Sequence, residues 1–126
     1  MSKEIEQIIK DQIGNWVVNH TQVCFISDDT LEIATSEKDS LGETIYCFIQ
    51  KSNDVYRIGD DSRTLFKIDP SASDEELYAM TEEVAKAAGF DFDYNTGEIW
   101  KEVSRANVIA TIMKLTQLVV AVSYLG

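Results

Sequence analysis

The stretch Phe90-Asp-Phe-Asp-Tyr-Asn-Thr-Gly-Glu-Ile-Trp-Lys-Glu102 (FDFDYNTGEIWKE) decides the fold, because it reads either as a calcium loop between helices or as a β-hairpin. Asp91, Asp93 and Asn95 stand at positions 1, 3 and 5 of an EF-hand loop, with Glu102 at position 12. Such a loop also needs glycine at position 6, where the chain turns sharply, and two flanking helices. Position 6 is Thr96, and Gly97 comes one residue late. Phe90, Phe92 and Tyr94 alternate with Asp91 and Asp93, which is the period of a strand. Asn95, Thr96 and Gly97 then supply a short turn, and Glu98 to Val103 a return strand, with Lys101 expected to pair across the ladder with Asp91 or Asp93. The stretch reads as a hairpin. Asp91 and Asp93 remain only weak metal candidates.

Upstream of the hairpin, Ser73-Asp-Glu-Glu76 reads as a capping box, in which Ser73 caps the backbone and Glu76 reaches back. Leu77, Met80, Val84 and Ala88 form the apolar face of the helix after it, and Gly89 stops that helix. Before the box, β-rich runs are separated by polar turns: VCFI, LEIAT, ETIYCFIQ, DVYRI and RTLFKI, ending at Asp69-Pro70. At the N-terminus, Ser2 can cap a helix in which Ile5, Ile8, Ile9 and Ile13 recur at helical spacing, with Gly14 ending or weakening it.

Downstream, Ser104 can cap a last helix running toward Leu125. Its span Ala106–Leu125 holds 14 apolar and 6 polar residues, with Asn107, Thr111 and Lys114 as a polar stripe. A lysine near the centre makes membrane insertion costly, so this is expected to be a core helix, partly covered by another subunit. The expected fold class is α+β: an antiparallel β-sheet of about five strands packed by an N-terminal helix, a middle helix and an apolar C-terminal helix, in one domain spanning 1–126.

Composition narrows the function. With 22 acidic against 11 basic residues the net charge is −11. That charge repels phosphates and leaves no footprint for nucleic acid, though it suits a protein that occupies a basic surface on a partner. Cys24 and Cys47 lie in apolar strand-like runs and read as buried free thiols of a reducing compartment, and no apolar signal-peptide core precedes them. A cytoplasmic protein is expected. No cofactor is expected.

Catalytic constellations are thin. Asp60 and Asp61 are adjacent, so in a strand they would point to opposite faces, and no histidine or third carboxylate lies locally to complete a metal set. An Asp-rich turn that satisfies its own backbone is the plainer reading, with Arg57 and Arg63 nearby to offset its charge. Nuclease chemistry needs carboxylates for a divalent metal and a lysine to position water. The strand end Phe48-Ile49-Gln50-Lys51 lacks the acid, and Glu37-Lys38-Asp39 is expected in a loop.

The run Tyr56-Arg-Ile-Gly-Asp-Asp-Ser-Arg-Thr-Leu65 resembles the Y-x-L-T-D-D-G-x-T-L region of a bacterial and phage family, domain of unknown function eighteen twenty-eight. The short Gly97-Glu98-Ile99 strand and the apolar last helix are similar too, so the likeness covers roughly residues 22–122. Ser62 departs from it, standing where the family usually has glycine; if that glycine takes positive φ, Ser62 bears strain or uses another turn. The resemblance implies a small bacterial or prophage protein and carries no established activity.

The leading expectation is therefore a non-enzymatic protein-interaction module, with a basic nucleic-acid-binding protein as partner in an inhibitor role. A homodimer through the last helix or an edge strand is compatible with it. Asp60 and Asp61 are its charged candidates; Val119, Val122, Tyr124 and Leu125 are its apolar ones. The rival expectation is a metal-dependent hydrolase using the Asp60/Asp61 turn.

Overall fold

The structure is a computed structural model that describes residues 3–126. Its centre is a six-stranded, wholly antiparallel sheet: β1 (Gln22–Phe25), β2 (Thr30–Lys38), β3 (Thr44–Ser52), β4 (Val55–Gly59), β5 (Asp91–Phe92) and β6 (Ile99–Val103), in the spatial order β1-β2-β3-β4-β6-β5. The helices are α1 (Lys3–Asn19), α2 (Arg63–Ile68), α3 (Glu75–Ala87) and α4 (Val108–Ser123), the last entered through a 3-10 turn at Arg105–Asn107. The fold is α+β, with one strand more than expected.

The hairpin reading holds. Asp91 pairs with Trp100 and Phe92 with Ile99, and Gly97 sits in the turn at φ 77°. Lys101 sits opposite Ile58 of β4 in the register, and its ammonium lies 5.8 Å from the Phe90 ring, so the expected pairing with Asp91 or Asp93 is not made. Tyr78 of α3, Phe92 and Tyr94 meet edge-on or tilted, at 5.2 to 6.2 Å between centroids, and fasten the hairpin to α3.

Alternation along β3 sorts the two sheet faces. Ile45, Cys47 and Ile49 face α4 with Ile33, Ile58 and Ile99, and α4 adds Ile112, Leu115, Val119 and Val122. Thr111 belongs to this buried side, its hydroxyl donating to the Asn107 carbonyl at 2.7 Å, so the expected polar stripe is broken there. Arg105–Ser123 is long and apolar enough to cross a membrane by composition, yet nine residues of α4 are buried in this core.

Three expectations for α1, α2 and α3 change. RTLFKI is a helix, α2, because Asp61 and Ser62 adopt left-handed backbone (φ 54° and 63°) and turn the chain out of β4. Helical period then buries Thr64 and Leu65 and leaves Phe66 outside. The cap of α3 is Asp74, which accepts the Leu77 N–H at 3.0 Å, while the Ser73 hydroxyl turns to Asp69 and Ser71. At the other end Gly89 (φ 84°) closes the helix as expected, with Phe90 N–H donating to the Ala85 carbonyl and Gly89 N–H to that of Lys86.

The third change concerns α1. It continues through Gly14 to Asn19, and none of its residues is buried. An N-terminal helix packed on the sheet was expected; this one stands clear of it. Its expected Ser2 cap lies outside the described residues. Cys24 is exposed on edge strand β1, so only Cys47 is a buried thiol.

Candidate functional site

β4 delivers Asp60 to the end of the sheet, where it is 1% exposed. One carboxylate oxygen accepts the N–H of Ser62 and of Ile99, each at 3.0 Å, and the other accepts the Thr64 N–H at 3.4 Å. Burial pushes this carboxyl up to about 6, against the opposing pull of those hydrogen bonds. Asp60 therefore binds α2 to β6 inside the protein. It is the backbone-satisfying Asp of a turn, and a partner cannot touch it.

Asp61 is exposed, so the two carboxylates do not act as a pair. Neither arginine offsets them. Arg57 pairs with Glu98 and stacks 3.8 Å over Trp100, while Arg63 reaches Glu32 at 3.7 Å and lies 4.7 Å from the Phe48 ring.

Beside Asp60 lies a second carboxylate that sequence reasoning placed in a loop without a role. Asp39 is buried; its carboxylate accepts the N–H of Leu41 (2.9 Å) and of Glu43 (3.0 Å) and meets the Lys67 ammonium at 3.3 Å. Burial pushes Asp39 up, but these donors outweigh it and hold the carboxyl below its ordinary value. Lys67 also reaches Glu43 at 2.9 Å. The neighbouring Ser40 exchanges two hydrogen bonds with Ser123, at 3.0 and 2.6 Å, and so fastens this loop to the end of α4. The sequence signal was the Asp39-Ser-Leu-Gly42 turn, whose aspartate caps its own backbone.

Asp39, Asp60, Lys67 and Ser123 line one cavity of about 20 Å³. That volume admits about one water molecule and no substrate. Among the described residues no three His, Cys, Asp or Glu side chains gather as a metal set. Asp93 is spent on the hairpin turn, accepting the Asn95 N–H at 2.8 Å, and Asp91 is exposed on edge strand β5.

The apolar interaction candidates divide. Val119 and Val122 are buried in the core and hold α4 on the sheet, which corrects their expected place on an interface. Leu125 packs partly against the same core. Tyr124 alone of the four is well exposed, at 71%.

The exposed apolar surface lies at the opposite edge of the sheet. α1 presents Ile8, Ile9, Ile13, Trp16 and Val18, each more than 40% exposed. Its end is held in place: the Trp16 and His20 rings stack at 3.9 Å, and the Thr21 hydroxyl donates to the Val17 carbonyl at 2.6 Å. Where α1 ends, a groove of about 530 Å³ opens between α4 and β2, floored by Ile33, Ile112 and Val120 and edged by Thr35, Glu37 and Gln117. The sequence signal for α1 was its isoleucine periodicity, read as core-facing because periodicity does not say what lies opposite.

Residues 35–122 match a sequence model described as "Domain of unknown function DUF1828". The chain belongs to that family. The DUF1828 region begins within β2 and ends on α4, so it holds the Asp60 turn and the Asp39 loop, and leaves α1 and β1 outside. No curated protein matches the chain, and no solved structure does.

Proposed function

We propose that the protein is a non-enzymatic protein-interaction module whose docking element is α1. The observation that carries this reading is a seventeen-residue helix with no buried residue and an apolar stripe open to water. An exposed stripe of that size is the usual mark of a protein contact. Its polar side carries Glu4, Glu6 and Asp11 against Lys3 and Lys10, which does not suit an anionic lipid surface.

Acidity is concentrated at the far end. Residues 69–93, covering α3 and the start of the hairpin, hold eight Asp or Glu and one Lys. That end supports a basic partner, and the finer form of the proposal is an inhibitor of nucleic-acid-binding machinery in a bacterial cytoplasm, that of the host if the protein is phage-encoded.

Affinity capture from source-cell lysate tests the reading, comparing the chain with its Ile13→Asp/Trp16→Asp variant under washes of rising salt. A partner held by the chain and lost from the variant is expected. Steep loss with salt assigns the contact to the acidic end, since screening weakens exposed charge pairs. Equal capture by both forms would remove α1 from the function.

A metal-dependent hydrolase at Asp60/Asp61 has less support, because Asp60 is committed to three backbone N–H groups. That reading requires Mg²⁺, Mn²⁺ or Ca²⁺ to raise Tm in an Asp60- and Asp61-dependent way. We expect no shift.

A further inference from the structure

We infer that two copies of this chain associate by exchanging α1, the helix of each lying in the groove between α4 and β2 of the other. This rests on the reading of α1 as a docking element and names its occupant.

The two surfaces are complementary and belong to one chain. The helix stripe is convex and apolar; the groove is concave and floored by Ile33, Ile112 and Val120. Beside the floor, Ile109 and Met113 are 58% and 53% exposed on α4, and Val23 and Phe25 are 58% and 72% exposed on β1. Strand register puts Val23 next to Ile33 and Phe25 next to Leu31, on the groove side of the sheet. Among the described residues, nine of the fifteen exposed large hydrophobics thus lie on α1, this side of β1 and the outside of α4. Val18 lies on the far side of α1 from Trp16; the other eight divide between a helix stripe and the seat for a helix.

A chain does not cover its own groove. Val17 and Thr21 form one end of that groove, and the rest of α1 is exposed or half-buried. A second copy related by a two-fold axis meets both needs at once. Its α1 enters where the first α1 ends, so the two helices also meet each other near the axis, and the contact closes on itself.

Size agrees. A stable interface takes roughly 20–30 residues from each side. The seventeen residues of α1 and the ten groove-lining residues outside it reach that range. The groove is edged by a single carboxylate, Glu37, and Arg105 and Lys114 lie outside its lining, so the fit to α1 is apolar. The acidic α3 packs on β5, at the sheet edge opposite β1, and the exchange leaves it facing outward, once per copy.

Sedimentation equilibrium of the full chain, with Ile13→Asp on the helix and Met113→Asp beside the groove, tests this. A dimer at tens of micromolar is expected, with Kd raised at least tenfold by either variant while circular dichroism shows that the sheet and core remain folded. An equimolar mixture of the two variants restores one intact helix-in-groove pair and should associate more tightly than either alone. A monomeric chain overturns the exchange, as does a dimer indifferent to both substitutions, which would indicate pairing of β1 edges instead. A monomer that still loses a different protein partner on Ile13→Asp sinks the exchange and leaves α1 as a docking element. Indifference of both self-association and partner capture to Ile13→Asp removes both readings.

Discussion

The carboxylate of Asp60 accepts the backbone N–H of Ile99 at 3.0 Å, joining two residues 39 positions apart in the chain. Through this bond the turn after β4 is fixed to the second strand of the hairpin, and Ile99 returns the contact by accepting the Asp60 N–H at 3.1 Å. A buried carboxyl in this position makes folding sensitive to pH.

The folded carboxyl titrates near 6, against an ordinary value of 3.8. Between those values the folded state holds a proton that the unfolded chain has lost. The stabilisation from this group is complete below pH 3.8 and disappears as pH rises through 6. The shift corresponds to a loss on the order of 3 kcal/mol across that window. Asp60→Asn cannot titrate, and its amide oxygen can still accept from Ser62 and Ile99. Urea denaturation at pH 4.5 and 7.5 should show a smaller pH dependence in the variant than in the native chain. Asp60→Ala orphans buried N–H groups and removes the titration, so it should cost about 3 kcal/mol at pH 7.5 and roughly 2 kcal/mol more at pH 4.5.

Ser62 has φ 63° and makes no capping hydrogen bond with its side chain. Left-handed backbone costs a non-glycine residue roughly 1–2 kcal/mol, and glycine is what the family resemblance leads one to expect here. Ser62→Gly should therefore stabilise the protein by about 1 kcal/mol, reduced by the greater freedom of the unfolded glycine. Thermal denaturation should show a higher Tm; an unchanged or lower value would mean the turn is unstrained.

Gly14 lies within α1, and a Cβ built on it meets nothing within 4 Å. Gly14→Ala should deepen the helical circular dichroism signal and favour the helix by about 1 kcal/mol locally. Global urea stability should move by less than about 0.5 kcal/mol, because α1 contributes no buried side chain to the core. A large change in global stability would place α1 in the core after all.

The two thiols should differ in reactivity. Cys24 is exposed, whereas Cys47 is buried, contacts the Thr116 hydroxyl at 3.6 Å and is pushed by burial up to about 11. An aromatic disulfide reagent at pH 8 should titrate one thiol promptly and the second only on unfolding. Two fast thiols would indicate that the sheet opens beneath α4.

Local chemistry determined much of this protein without reference to the rest of the chain. The alternation of Phe90 to Tyr94 and the late Gly97 specified a hairpin, and Gly89 specified the end of α3, because backbone conformation responds to immediate neighbours. The sequence Asp60-Asp61-Ser62 likewise announced a turn. The conformation of the segment beyond that turn was decided at long range. RTLFKI has the β-branched and aromatic content of a strand, and it is helical because Asp60, held by Ile99, sets the chain direction before it begins. Burial was the other tertiary decision. Apolar periodicity in α1 and α4 looks alike on paper, yet the sheet covers one and leaves the other open. Periodicity specifies a face, whereas strand order and the reach of α4 across β3 and β4 specify which faces lose their water.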